Sequence, residues 1–273
     1  MPKVCLDAGH YGQYNRSPVN PAYFESVQMW KLTEYLSAEL KKRGVGVVKT
    51  RTNQAKDLAL ITRGKMAKGC DLFVSLHSNA SSSTATDYPV AIVMRDNASV
   101  DIDDKSEEIG LKLAKVVEEV MDTKQNGRTM TNPSDKDRDG NGKKDDEYYG
   151  VLQGAKLVGV PGVILEHSFH TNTKATAWLL NEANLKKLAK AEADCIYEYL
   201  NGEEEMTQEQ FDKMMDAYLK KREDLPASAW AIKEIASAKA KGITDGSAPR
   251  GLVTREECMA MVDRAANLLM KNM

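Results

Sequence analysis

Lys3-Val4-Cys5-Leu6-Asp7-Ala8-Gly9-His10 is the stretch that decides the reading of this chain. A short apolar strand pattern runs into a turn glycine and then a histidine. A metal-capable side chain therefore stands where a strand stops. Two further segments share this design. Residues 71–76 run into His77-Ser78-Asn79, and Pro161-Gly162 introduces Val163-Ile164-Leu165, which ends at Glu166. The chain has only four histidines, and two of them, His10 and His77, lie at these strand ends.

Amphipathic segments separate the strand patterns. In residues 22–43, Met29, Leu32, Leu36 and Leu40 fall on one helical face, and Gly44 is a C-terminal stop. Residues 57–68, 106–121 and 184–200 read as further helices. Residues 45–50, 90–95 and 148–152 read as further strands. Alternation of this kind predicts an α/β fold, a mostly parallel twisted sheet with helices on both faces. Ligands in such sheets sit beyond the carboxyl ends of the strands, so His10, His77 and Glu166 can converge. The pattern changes near Asn201-Gly202, and the rest is helical. Thr207 and Gln210 form a capping-box pair, followed by an apolar stripe of Phe211, Met214, Met215, Tyr218 and Leu219. Helices over 228–241 and beyond Thr254, capped with Glu257, complete it. The expected organisation is a catalytic domain over 1–201 and a small all-helical domain over 202–273.

The formal net charge of -2 gives no reason to expect nucleic acid or an anionic membrane as partner. No run approaches the roughly 18 apolar residues of a membrane span. Cys5, Cys70, Cys195 and Cys258 form no CxxC pair and read as reduced thiols. Met1-Pro2-Lys3 leads directly into a strand pattern and leaves no room for a signal peptide. Synthesis in the cytoplasm is the expectation, with any action on the cell wall following another route of release.

Catalytic zinc sites commonly combine three nitrogen and oxygen ligands with an open position. His10, Glu25 and His77 would make such a set. Glu25 heads the stripe of Met29, Leu32, Leu36 and Leu40, where a carboxylate is costly unless paired or metal-bound. The competing reading is a solvated acid favoured by the helix dipole. Singly, His10 also reads as a turn residue and His77 as a hydrogen-bonded strand end; the combination favours a site. Adjacent strand residues face opposite ways, so Glu166 or His167 faces the site, with Glu166 the preferred one. His170 is a candidate substrate contact. Asn79 is either a substrate contact or a turn former.

LDAGH at 6–10, Glu25, SLHSNAS at 75–81 and PGVILEHSFHTN at 161–172 together resemble the zinc-dependent N-acetylmuramoyl-L-alanine amidases of the amidase_3 type. The resemblance implies zinc on His10, Glu25 and His77, a catalytic Glu166, and bacterial peptidoglycan as substrate. Two residues depart from the family pattern: Tyr11 where a second glycine is usual, and His167 where a small or apolar residue is usual. The family role that fits is a phage or prophage endolysin, released by a holin lesion or lysis. A mother-cell autolysin of sporulating bacteria fits as well. The rivals are another zinc hydrolase on a similar sheet and a catalytically silent wall-binding protein. His and carboxylate ligands also accept other divalent ions.

Two features lie outside that resemblance. Residues 135–146 resemble the calcium loop of EF-hand and dockerin proteins, with Asp135, Asp137, Asp139, Asn141 and Asp146 as Ca2+ ligand candidates. The alternative is a solvated insertion. Residues 226–268 resemble a single S-layer-homology repeat. That suggests wall-polymer binding or homo-oligomerisation, with simple packing on the catalytic domain as the alternative.

Overall fold

Strands form where the apolar runs lie. The computed structural model describes residues 1–95, 100–134, 136–137, 142, 146–202 and 208–271. It divides into two compact units, Met1–Glu203 and Glu204–Met273. In the first, β1 (Lys3–Ala8), β2 (Gly46–Lys49), β3 (Leu72–Asn79), β4 (Val90–Val93), β5 (Arg128–Met130) and β6 (Gly162–Phe169) build one sheet in the order β2-β1-β3-β6-β4-β5. Every neighbouring pair is parallel except β4 with β6.

Side-chain alternation splits each central strand between two cores. Val4, Leu6, Val74, Leu76, Val163 and Leu165 pack under α1 (Glu25–Lys42), α3 (Val100–Met121) and α6 (Glu182–Asn201). Cys5, Phe73 and Ile164 pack on the other face with Val151, Leu152 and Ala155 of α4 (Gly150–Lys156) and with Ala67 and Cys70, which follow α2 (Leu60–Lys65). Burial on both faces is why the strands read as unbroken apolar runs. The α1 stripe of Met29, Leu32, Leu36 and Leu40 is wholly buried, and Gly44 closes the helix at φ 77°.

Residues 148–152 are a correction. They do not form a strand but a turn entering α4. Gly150 and Gly154, one helical turn apart, let α4 lie directly on α2. A Cβ on Gly154 would stand 2.3 Å from the Ile61 carbonyl oxygen, and one on Gly64 2.0 Å from that of Val151. The short β5 and α5 (Thr173–Leu180), capped by the Asn172 side chain on Ala175 N, are elements the sequence patterns did not announce.

Chain order places the site. β2 lies on one side of β1 and β3 on the other. Crossovers leaving a strand in opposite directions open a crevice at its carboxyl end, the end that carries His10 and His77.

The second unit holds α7 (Gln208–Glu223), a 3-10 turn at Ala229–Ala231, α8 (Ile232–Ala240) and α9 (Arg255–Lys271). Thr254 and Glu257 cap α9 reciprocally, with Thr254 N donating to Glu257 Oε2 at 2.8 Å and Glu257 N to Thr254 Oγ1 at 3.1 Å. Thr207 lies outside the described residues. Phe211, Met214, Met215 and Tyr218 on α7 are exposed. No helix among the described residues is long and apolar enough to cross a membrane.

Candidate metal centre

The turn after β1 is built by backbone economy. Gly9 N donates to Leu76 O at 2.9 Å, which ties the turn to β3. His10 follows in the left-handed region at φ 55°, a conformation that histidine tolerates better than most residues. Beneath the turn, buried Asp7 accepts from the Thr50 and Ser75 hydroxyls. Arg51, 1% exposed, donates to Ala8 O at 2.8 Å, and Arg63 reaches His10 O at 3.4 Å.

Glu25, the first residue of α1, is 2% exposed and joins both histidines. Its Oε1 lies 2.9 Å from His77 Nδ1 and accepts from Ser78 N at 3.1 Å. Its Oε2 lies 3.3 Å from His10 Nε2 and accepts from Asn15 Nδ2 at 2.7 Å. One ligand atom each from His10, Glu25 and His77 falls within 4.8 Å of the others. A buried carboxylate between two imidazoles that open on a cleft is a donor set suited to zinc. The cradle is closely fitted: a Cβ on Gly9 would stand 2.5 Å from His77 Cε1.

Burial would raise the Glu25 carboxyl, but hydrogen bonds and charge from His10 and His77 outweigh it and hold the group well below the carboxylate range. Burial would lower His77, but Glu25 reverses the sign and carries it up to about 9. Glu166, across the β3–β6 pairing from His77, is pushed up to about 7 by burial, opposed by His77 and reinforced by Glu25. Its Oε2 is buried with no hydrogen-bond partner among the described residues.

In the metal-free protein the charge on His77 makes stability depend on pH. The folded pKa of His77 lies above its unfolded value of 6.5. Its contribution to stability is therefore full below pH 6.5 and lost as pH rises toward 9. Zinc needs the neutral imidazole, so zinc affinity should rise over the same interval. Melting of chelator-treated protein from pH 6 to 9.5 should show the fall, and His77→Gln should remove the part above about pH 7, where Glu166 is already ionised. A fall unchanged in His77→Gln would refute the assignment.

His10, Glu25, His77, Asn79, Glu166 and His170 all line one cleft of about 690 Å3. Asn79 Oδ1 accepts from Ala80 N at 2.8 Å, a contact of the turn that follows β3. His170 Nδ1 lies 2.8 Å from Ser78 O and 4.0 Å from Glu25 Oε2. His167 points to the opposite face, its Nε2 lying 2.7 Å from Glu192 Oε1. Asp135, Asp139 and Asn141 lie outside the described residues. Asp137 accepts from Gly142 N at 3.0 Å, and Asp146 is 2% exposed. Sequence reasoning missed Asp7, Asn15, Arg51, Arg63 and Glu192. For Asp7 a signal existed: an acid between Leu6 and Ala8 inside a buried strand.

The chain's residues 4–198 match the family model Amidase_3, described as N-acetylmuramoyl-L-alanine amidase. A search of the curated proteins finds no match. Among solved structures, the catalytic domain of CwlV, an N-acetylmuramoyl-L-alanine amidase from Bacillus (Paenibacillus) polymyxa var. colistinus, is similar at TM-score 0.56 and 23% identity, covering 74% of this chain and 99% of that one. An N-acetylmuramoyl-L-alanine amidase from Clostridium difficile 630 is similar at TM-score 0.59 and 20% identity, covering 74% and 98%. The CwlD amidase from Clostridioides difficile, solved with the GerS lipoprotein, is similar at 0.55 and 21%, covering 74% and 99%. These identities establish a shared fold.

Proposed function

Because the chain belongs to the Amidase_3 family of N-acetylmuramoyl-L-alanine amidases, we propose that it hydrolyses the amide between the lactyl group of N-acetylmuramic acid and L-alanine in peptidoglycan, with zinc held by His10, Glu25 and His77. One observation carries the reading: a buried carboxylate joins two histidines on the wall of a cleft that also holds Glu166, whose Oε2 has no hydrogen-bond partner among the described residues.

When bound, zinc supplies a Lewis acid that polarises the amide carbonyl and lowers the pKa of water. The protein's own residues do the rest. Both imidazoles favour the Glu25 carboxylate over the protonated acid and hold its pKa well below the usual carboxylate range. Asn15 donates to Glu25 and stands 3.1 Å from His10 Nε2, so it holds the side chain of His10 in the loop and that of Glu25 at the start of α1. Glu166 has a proton affinity near neutrality. It is therefore able to take a proton from the attacking water and return it to the leaving amine nitrogen. Tyr11, Tyr14 and Leu60 line the same cleft and give substrate an apolar wall.

Purified peptidoglycan treated with the protein should release new L-alanine amino termini and no reducing sugar ends. Reducing ends would identify a glycosidase, and amino termini of another amino acid a peptidase; either result refutes the proposal.

A further inference from the structure

The face of β6 turned away from the cleft carries a second buried pair. His167 and Glu192 are both 0% exposed. Glu192 sits on α6 among Leu185, Leu188, Ala189, Ala193 and Ile196, the stripe that packs on the sheet. One of its oxygens meets His167 Nε2 at 2.7 Å; the other is buried with no hydrogen-bond partner among the described residues. Apolar residues of similar volume would serve the core at least as well, so packing gives no reason for the pair. The other imidazole nitrogen does. His167 Nδ1 lies 2.8 Å from the main-chain carbonyl of His77. A carbonyl only accepts, so Nδ1–H is the donor, and flipping the ring would lose both contacts. His77 also lies where the β3–β6 register shifts, between His77 and Asn79. The main chain that aims the His77 ring thus sits at an irregular point of the ladder, and the imidazole of His167 ties it down.

We propose that His167 and Glu192 are a positioning pair for the metal centre. Glu192 orients His167, His167 fixes the His77 main chain, and the His77 ring is thereby aimed at the metal. Neither residue touches substrate. The proposal rests on the zinc reading above, and it concerns the residue by which this chain departs from its family's pattern.

The test measures zinc affinity by chelator competition, the visible spectrum of the cobalt-substituted protein, and the melting temperature. The proteins are wild type, Glu192→Gln, and the double variant His167→Leu/Glu192→Leu. The double variant leaves no charge unpaired, so it should melt at or above the wild-type temperature. Its zinc affinity should fall by about 10- to 100-fold, the usual effect of losing groups that orient a ligand, and its cobalt spectrum should shift. A folded double variant with wild-type zinc affinity and an unchanged spectrum overturns the proposal. If the double variant does not fold, Glu192→Gln decides: weaker zinc binding at an unchanged melting temperature supports the pair's role, and wild-type affinity overturns it. Failure of the wild-type protein to bind zinc overturns the metal reading and this one together; unchanged variants of a zinc-binding wild type overturn this one alone.

Discussion

Replacing Glu166 with alanine or glutamine is expected to lower kcat on purified cell walls by about 10^2- to 10^4-fold, the range lost with a general acid–base, while zinc stays bound. Glu166 is outside the three-residue donor set, so its removal leaves the ligands in place. Its Oε2 has no hydrogen-bond partner to lose among the described residues. Glutamine keeps the shape of the side chain and cannot carry the proton, so it should be as inactive as alanine. KM should change little, because the lost interaction belongs to the transition state. Stability should move the other way. An acid whose folded pKa, about 7, lies above its ordinary value of 4.5 opposes folding increasingly as pH rises through that window. At pH 7 metal-free Glu166→Gln should therefore melt at or above the wild-type temperature. Steady-state kinetics, zinc titration and melting check the three parts. Activity of Glu166→Ala within tenfold of wild type would move the proton carrier elsewhere. His170 would then be the candidate, since it lines the same cleft and His167 does not.

The sheet was legible because its central strands are buried on both faces and read as apolar runs. The site was legible because a polar side chain ending such a run needs a physical reason. The same rule applied to α6 would have found Glu192, an acid on the stripe of Leu185, Leu188 and Ala189. What stayed hidden had no local signature. β5 is three residues long and only half-buried at best, so no apolar pattern marks it. Residues 148–152 carry strand-forming side chains, but the close approach of Gly154 to α2 decides their state, and that partner lies some ninety residues away in sequence. Short apolar runs are ambiguous between helix and strand for this reason. The opposite facing of Glu166 and His167, with Glu166 toward the site, could be stated from sequence, but not what His167 meets on the other face. The register shift at His77, and the arginines under the β1 turn, are contacts that only the assembled sheet creates.

Gly9→Ala is expected to be nearly as damaging as loss of a ligand, although glycine carries no functional group. The His77 ring lies directly against the Gly9 backbone. A Cβ there would stand 2.5 Å from Cε1 and 2.7 Å from both ring nitrogens, distances at which one side must give way. Gly9 N is already tied to Leu76 O at 2.9 Å, one residue before His77, so the backbone on both sides is anchored. The ring is the movable part, and it moves away from Glu25 Oε1, which it now meets at 2.9 Å. A displacement of about 1 Å at a reacting centre costs on the order of 10^2-fold, and zinc affinity should fall with it. Melting of the metal-free variant should also drop, because the His77–Glu25 contact weakens, while far-ultraviolet circular dichroism stays that of the folded sheet. Gly12→Ala is the control: a Cβ there meets nothing within 4 Å, and only its φ of 58° opposes the change. It should lower stability without selectively weakening zinc. Equal zinc affinity in Gly9→Ala and wild type would show that the His77 ring tolerates a second position, and would remove the steric reason for glycine in this turn.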